Sequence, residues 1–210
     1  MDNLVRFTSV TALFFLLATG LASTVYADDE LIVRRYDVSQ DGNTFKVMAM
    51  QSDPGPFDTI TDDGHPAQGA MFSVLGYVYP FGTLKGGTVS GTNGDGSPAF
   101  PELVLGTWSC RGWFILDGDP GVSGEQLIGT QTFVFFTKGG RPGQRTIVSE
   151  GIDLSIEDVD LSVPFVRPIT GGTGTFLGAR GRHRMTNFGF NESFGFDSTH
   201  RLVFSVLDID

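Results

Sequence analysis

The sequence predicts an all-β fold, and three observations support this. Apolar residues recur with a period of two or in short uninterrupted runs, whereas the 3.6-residue period of an amphipathic helix is never sustained. Gly, Pro, Asn and Asp, the residues of tight turns, bound these runs. Glycine is frequent, at 29 of 210 residues, but it is confined to the reversals and has no repeat period. This distribution indicates many short strands rather than a collagen-like or disordered chain.

Ten segments have the pattern of strands. They are residues 31–38, 44–50, 70–79, 83–90, 103–116, 125–137, 145–154, 163–169, 182–190 and 199–207. Short connections favour an antiparallel meander, and about eight such strands can close into a barrel without a free edge. A barrel of that size holds packed side chains or one small ligand. We therefore predict a single antiparallel, roughly eight-stranded closed β-barrel with a lipocalin-like shape.

The first residues have the pattern of an export signal. Arg6 provides a positive start, and residues 10–22 are apolar but too short to span a bilayer. Val25-Tyr26-Ala27 has the small-x-small pattern of a cleavage site, and acidic residues follow it. These features predict a signal peptide over residues 1–27, a barrel domain over residues 28–210 and a secreted or periplasmic protein without a stable membrane anchor.

Charge and cysteine content exclude several functions. The net charge of −10, with Lys and Arg dispersed along the sequence, argues against binding to nucleic acid or anionic membranes. Cys110 is the only cysteine, so the domain has no internal disulfide. No local base accompanies Cys110, which favours a buried apolar role over a nucleophilic one.

Residues 169–182 form a glycine-rich segment, ITGGTGTFLGARGR. Gly171, Gly172 and Gly174 permit positive φ angles, and Phe176 offers a ring to fill a core. A phosphate-binding loop would need Lys followed by Ser or Thr and then a helix, whereas two strand-like segments follow here. A structural turn is the better interpretation.

This GGTGxFxGAxG segment, with the strand pair after it, resembles the allene oxide cyclase-like barrels, the superfamily that includes the plant dirigent proteins. The resemblance implies an eight-stranded barrel that assembles as a homo-oligomer, a dimer or a trimer. It also implies a cofactor-free cavity that folds a reactive apolar substrate while one carboxylate and a few hydrogen-bond donors steer charge. Only the last third of the chain matches at the level of motifs.

Three residues are the candidates for catalysis. Glu150 shares a strand face with apolar residues, where a carboxylate pairs with a cation or rises in pKa to act as an acid or base. A position at the barrel rim in water is the alternative. Arg111 lies two residues from Trp113 and is a candidate to bind a carboxylate or carbonyl, with a surface or interface position as the alternative. Tyr77 is a candidate donor to a substrate oxygen.

Aromatic residues on the same strands are the candidates for substrate binding. We predict this role for Trp108, Trp113, Tyr79, Phe133 and Phe135. Core packing is the alternative for the tyrosines.

Metal chemistry has little support, because His65, His183 and His200 lack the spacing of a zinc site and no cysteine pair exists. A Ser-His-Asp arrangement stays open, although no Gly-x-Ser-x-Gly elbow is present. Asn191-Glu192-Ser193 is an N-glycosylation sequon if the source is eukaryotic, with chance occurrence as the alternative.

The predicted function is therefore that of a secreted barrel that binds a small apolar or aromatic metabolite. It would catalyse a cyclisation or stereo-controlled cycloaddition of secondary metabolism without a cofactor. A non-catalytic dirigent-like or carrier barrel is the alternative, and a module whose barrel is filled by its own phenylalanines is a third possibility.

Overall fold

Eight long strands pair antiparallel with their neighbours and close on themselves, which confirms the predicted barrel. The computed structural model describes residues 30–48, 51–52, 55–56, 68–116, 126–137, 144–154 and 163–207. The predicted signal peptide lies outside these residues. In chain order the strands are β1 (Ile32–Met48), β2 (Gln51–Ser52), β3 (Gly55–Pro56), β4 (Met71–Pro80), β5 (Gly106–Leu116), β6 (Gln126–Phe135), β7 (Thr146–Leu154), β8 (Phe165–Gly172), β9 (Arg180–Phe190) and β10 (Phe196–Ser205). The barrel order is β1-β10-β9-β8-β7-β6-β5-β4, and β2 and β3 form a separate two-stranded sheet.

Strand β1 closes the barrel because it pairs with β10 on one side and β4 on the other. It replaces the two separate strands predicted over residues 31–38 and 44–50. Its register with β4 shifts between Asp41 and Lys46. At this irregularity Asp41 Oδ1 accepts from the Asn43 amide at 3.0 Å, and Thr44 Oγ1 donates to the Asp41 carbonyl at 2.7 Å. The turn-like residues at 41–44 therefore bend one long strand and do not end it.

The connection between β4 and β5, residues 81–105, lies on the outer surface of the barrel, and we call it the strap. The prediction of a strand over residues 83–90 is wrong, because this part of the strap contains a short 3₁₀ turn at Lys85–Gly87. Gly86 and Gly87 have φ angles of 66° and 86°, and Lys85 has a φ of 47°, which no strand accommodates. Leu84, which belongs to the strap, is fully buried.

The glycine-rich segment forms the corner between β8 and β9, with a 3₁₀ turn at Gly174–Phe176. Of the three glycines expected to have positive φ, only Gly174 does, at 60°. Gly172 is instead part of β8, where a side chain would collide with the Phe176 and Thr146 carbonyl oxygens. Phe176 is buried and contacts the rings of Phe135 and Phe204, with centroids 5.5 and 5.8 Å away. The corner therefore closes one end of the barrel, which we call the Phe176 end.

Strict alternation divides each strand into an inner and an outer face. On β5, Trp108, Cys110 and Phe114 are buried inside, whereas Arg111 and Trp113 are exposed outside. The interior is built mainly from aromatic side chains. At the end opposite Phe176, which we call the Phe114 end, the inward side chains are Phe72, Phe114, Leu127, Phe165 and Met185. Within the described residues, no helix is long and apolar enough to cross a membrane.

Candidate functional site

A chain of four polar side chains runs through the middle of the barrel. Ser149 Oγ lies 2.8 Å from His183 Nδ1, His183 Nε2 lies 2.8 Å from His200 Nδ1, and His200 Nε2 lies 2.8 Å from Ser198 Oγ. All four residues are fully buried. Strands β7, β9 and β10 supply them from inward-facing positions, so the chain crosses the lumen instead of following one strand.

The direction of this chain follows from its last member. Ser198 Oγ donates to the Val38 carbonyl at 3.3 Å, so the same oxygen accepts a hydrogen bond from His200 Nε2–H. His200 Nδ1 then has no proton and accepts from His183 Nε2, and His183 Nδ1 accepts from the Ser149 hydroxyl. This assignment takes both imidazoles as neutral, in agreement with their lowered pKa values, and each is then protonated at Nε2.

Burial keeps these imidazoles neutral. It lowers the pKa of His183 well below its ordinary value, and the charges of His200 and Arg167 act in the same direction. Burial, with a smaller contribution from the Arg167 charge, lowers the pKa of His200 to about 3. Neither ring carries a positive charge near neutral pH.

Arg167 brings a guanidinium into the interior beside this chain. It is 2% exposed and pairs directly with His183 across β8 and β9. Gly151 of β7 makes room for it, because a Cβ there would lie 2.9 Å from Arg167 Cβ. The Gly129 carbonyl of β6 accepts from the guanidinium at 3.4 Å. Burial lowers the pKa of Arg167, but an arginine stays protonated in proteins.

Cys110 is next to this guanidinium and is buried, as its sequence context predicted. Burial raises the pKa of the Cys110 thiol to about 11, and the charge of and hydrogen bond with Arg167 offset that rise only in part. The residue is therefore a thiol at neutral pH and not an activated nucleophile.

Aromatic rings enclose the polar chain and orient its neighbours. Phe133 meets both imidazoles edge to face, with centroids 5.5 Å from His183 and 5.3 Å from His200. Trp108 Nε1 donates to Gln131 Oε1 at 3.2 Å, and Gln131 Nε2 lies 3.5 Å from Met185 Sδ. This packing leaves the rings at the middle of the barrel almost no exposed surface.

A second buried polar cluster lies on the outer face of β1 and β10, beneath the strap. Asp37 Oδ2 accepts from the Leu84 amide at 2.9 Å, and Asp197 Oδ2 accepts from the Gly91 amide at 3.1 Å. Burial raises the pKa of both carboxyls, and hydrogen bonds offset the rise in part. The two carboxylates hold the strap against the barrel.

The structure divides the eight predicted catalytic and substrate-binding residues into three groups. Trp108, Phe133 and Phe135 come together inside the barrel. Glu150, Arg111 and Trp113 are exposed on the outer face, so the apolar surroundings expected for Glu150 do not enclose it. They have the wrong strand parity to reach the lumen.

The two tyrosines form the third group. Tyr79 is fully buried beneath the strap and donates to the Gly91 carbonyl at 2.7 Å, whereas Tyr77 donates to the Gly96 carbonyl at 2.8 Å. Burial raises the pKa of both phenols. These side chains fasten the strap and do not face the interior.

Asn191, the predicted glycosylation position, is 7% exposed and fully engaged. Its Nδ2 donates to Ser39 Oγ at 3.0 Å and to the Gln40 carbonyl at 2.7 Å, and its Oδ1 accepts from the Ser193 amide at 3.0 Å. A glycan on Nδ2 is incompatible with this packing, so the folded structure disagrees with that prediction.

Sequence reasoning missed the interior polar residues Ser149, Arg167, His183 and His200. The available signal was parity, since His183 alternates with Met185, and His200 with Leu202 and Phe204. The hairpin register of β9 and β10 would then have placed both histidines on the inner face. Among the described residues, no group of three or more His, Cys, Asp or Glu side chains is arranged to hold a metal.

Comparisons with known proteins agree with the fold. No family model matches the chain, and no curated protein matches its sequence. Two pterocarpan synthase dirigent proteins share its architecture. GePTS1 has 13% identity and a TM-score of 0.52 over 88% of this chain and 90% of its own, and PsPTS1 has 13% identity and a TM-score of 0.51 over 87% and 100%. A pyocyanin demethylase aligns at 14% identity with a TM-score of 0.47, over 83% of this chain and 100% of its own. The chain has the closed barrel fold of the dirigent proteins, and identities this low show the fold alone.

Proposed function

We propose that this protein binds a small apolar or aromatic molecule at the Phe114 end and directs its cyclisation or stereo-controlled cycloaddition. The observation that carries the proposal is the buried guanidinium of Arg167 in an interior otherwise dominated by aromatic rings. Burying polar and charged groups costs free energy, so a barrel optimised for stability alone would fill these positions with apolar side chains. A ligand that places an oxygen near Arg167 gives the group a functional reason.

The chemistry follows from shape and charge. Phe72 and Phe114 are buried against each other at this end, and Phe165 faces the same interior. A substrate that packs among these rings would be held in one folded conformation, which accelerates ring closure by orientation. Arg167 can donate hydrogen bonds to an oxygen on which negative charge develops. Among the interior side chains that the structure describes, none is a carboxylate. The acid or base role that the sequence suggested for Glu150 is therefore not part of this proposal.

Because the Phe176 end is closed by its own side chains, we place ligand entry at the Phe114 end. The rings of Phe176, Phe135 and Phe204 fill the Phe176 end. At the Phe114 end, strands β5 and β7 terminate and strands β4, β6 and β8 begin. His183, His200 and Ser149 lie beside Arg167 and are held in a fixed hydrogen-bond pattern. They act as positioning residues.

Binding of 1-anilinonaphthalene-8-sulfonate, an aromatic anion, tests the site. We expect one saturable site whose Kd rises by about tenfold or more in Arg167→Met, because the sulfonate loses charge-assisted hydrogen bonds. Arg111→Met is the matched control, since Arg111 is exposed on the outer face of β5, and it should bind as the wild type does. Arg167→Lys retains the charge and replaces the first variant if that variant does not fold. Equal binding by wild type and both Arg167 variants contradicts the proposal.

Catalysis is tested separately from binding. Metabolite extract from the source organism is incubated with wild type and with Arg167→Met, and products are followed by chiral chromatography with mass detection. A cyclisation gives a new retention time at unchanged mass and an excess of one enantiomer that the variant does not produce. The tightly packed middle of the barrel favours the second candidate, a module whose barrel is filled by its own aromatic side chains, for which neither saturable probe binding nor a product is expected. Binding without a product would instead indicate a non-catalytic carrier.

We also propose that the barrel forms a homo-oligomer through the outer face of β5, β6 and β7. Trp113, Ile128 and Ile152 are directly paired there, and Trp113 and Ile152 are 44% and 59% exposed. Arg111 and Glu150 flank Thr130 in the next row, so a twofold axis would pair the arginine of one copy with the glutamate of another. Sedimentation should show that Arg111→Glu dissociates the assembly and that Arg111→Glu with Glu150→Arg restores it. A monomeric wild type excludes this interface.

Export remains a proposal that rests on the pattern of residues 1–27. The amino terminus of the secreted protein should begin near Asp28, and recovery of the full chain inside the cell would argue against export.

A further inference from the structure

Three arginines from distant parts of the sequence lie side by side on the outside of the barrel. Arg35 of β1 pairs directly with Arg201 of β10, and Arg201 pairs directly with Arg184 of β9. Arg182 is two residues from Arg184 and faces the same way. Adjacent strands are about 4.8 Å apart, so three guanidinium side chains start from a line roughly 10 Å long. We call these four residues the arginine row.

The row has no acidic partner of its own. Within the described residues, no ion pair or hydrogen bond joins any of the four arginines to a carboxylate, and Arg201 Nε is buried without a hydrogen-bond partner. Arg35 lies over the Phe81 ring, with its guanidinium carbon 5.4 Å from the centroid. Asp37, two residues from Arg35 on the same strand face, is 1% exposed and accepts from the Leu84 amide.

Like charges directly opposite each other destabilise a sheet. Two consecutive pairs of this kind, in a protein whose net charge is −10, need a compensating interaction. Planar guanidinium groups bind phosphate and carboxylate oxygens in a bidentate manner. A bound anion would supply that compensation.

The charges favour a compact anion over an extended one. The remainder of the chain is strongly acidic, so a nucleic acid or an anionic membrane would be repelled outside the row. A phosphate group carries about −1.5 to −2 charges at neutral pH, so two such groups balance four arginines within a small volume.

We propose that the arginine row binds a small molecule carrying two phosphate groups, at a site separate from the barrel interior. Arg201 is at the centre of the row, with Arg35 on one side and Arg184 on the other, so that the anion lies across the three strands. Arg182 adds a fourth contact on β9.

Calorimetric titration with inorganic pyrophosphate tests this site at constant ionic strength. We expect saturable binding to the full-length protein, at least about tenfold tighter than binding of orthophosphate, because one phosphate group reaches fewer guanidiniums. The double variant Arg35→Gln, Arg184→Gln should weaken pyrophosphate binding by at least about tenfold. Both side chains are exposed, so this variant should fold.

Two matched controls define the location. Arg111→Gln removes an exposed arginine from β5, and Arg167→Met removes the interior one; both should retain wild-type affinity for pyrophosphate. Absence of saturable binding, an equal loss in Arg111→Gln, or equal affinity for orthophosphate would each overturn the proposal. Arginine-dependent binding to phosphatidylserine vesicles without binding of pyrophosphate would also overturn it. Loss in Arg167→Met alone would place pyrophosphate in the interior and leave the row without this role.

Discussion

Strands β1 and β10 carry two buried polar layers, one on each face of the sheet. Different hydrogen-bond partners offset the free-energy cost of burying the polar groups in each layer. On the inner face, His200 and Ser198 join a chain of neutral groups that satisfy one another. On the outer face, Asp37 and Asp197 keep carboxylates under the strap by accepting backbone amide protons. The stability of the inner layer therefore depends on neutral imidazoles, whereas that of the outer layer depends on backbone amide donors of the strap.

The largest difference should come from deleting a ring of the inner layer. His200→Ala leaves a cavity beside Trp108 and Phe133 and orphans the His183 and Ser198 hydrogen-bonding groups. We expect a loss of about 3–5 kcal/mol in the free energy of unfolding. Urea denaturation followed by circular dichroism at pH 7 measures this. A loss below about 1 kcal/mol would mean that the inner chain contributes little to folding.

The pH dependence of stability should separate the two layers by sign. In the folded protein the pKa values of His183 and His200 are lowered. The two histidines therefore stabilise the folded state fully above their unfolded pKa of about 6.5. This contribution is lost as the pH falls toward the folded pKa, which is about 3 for His200. The shift of His200 alone corresponds to on the order of 5 kcal/mol. Denaturation series between pH 7 and about 4 should therefore show falling stability, with a shallower slope in His200→Phe.

The outer carboxylates should oppose that trend. The folded pKa of Asp37 and Asp197 is raised, so their contribution is present below the unfolded value of about 3.8 and is lost as pH rises through the folded pKa. Asp197→Asn removes this opposing term and should steepen the acid loss. An unchanged slope in both His200→Phe and Asp197→Asn would assign the pH dependence to other groups.

A smaller effect is expected where the outer layer meets the β9–β10 turn. Asn191→Ala removes the hydrogen bonds to Ser39, Gln40 and Ser193 and should cost about 1–3 kcal/mol. Because the wild-type amide is buried, protein folded in a eukaryotic secretory host should carry no glycan at Asn191. Intact-mass measurement tests this directly, and a glycosylated, fully folded fraction would disprove the packing at this turn.

The smallest effect should come from Glu150→Gln, since the side chain is exposed on the outer face of β7. We expect a change within about 0.5 kcal/mol in the monomer and unaltered binding of the anilinonaphthalene probe. A clear loss of probe binding would show that Glu150 contributes to the ligand site and that the outer face of β7 is functional.

The sequence predicted the barrel because period-two alternation and turn residues are local signals. It also predicted Phe176 as a core residue and Trp108, Phe133 and Phe135 as an aromatic group. It did not decide which parity faces inward on β5 and β7, because both faces of these strands carry apolar residues. Glu150, Arg111 and Trp113 were assigned to the site for that reason.

The strap and the polar layers required long-range contacts. Residues 83–90 alternate enough to resemble a strand, and only the anchors at Asp37 and Asp197, which come from other strands, show why they form turns. His183 meets Ser149 and Arg167 through pairing of β7, β8 and β9, which local sequence does not encode.

The sequence by itself determined the all-β architecture, the acidic net charge and the glycine-rich corner, since each depends on composition or short-range periodicity. Only the tertiary structure decided that arginines dispersed along the chain form one row, and that two histidines on different strands are joined by a hydrogen bond in the lumen. Closure of the sheet sets the strand register, and the register determines which distant side chains become neighbours.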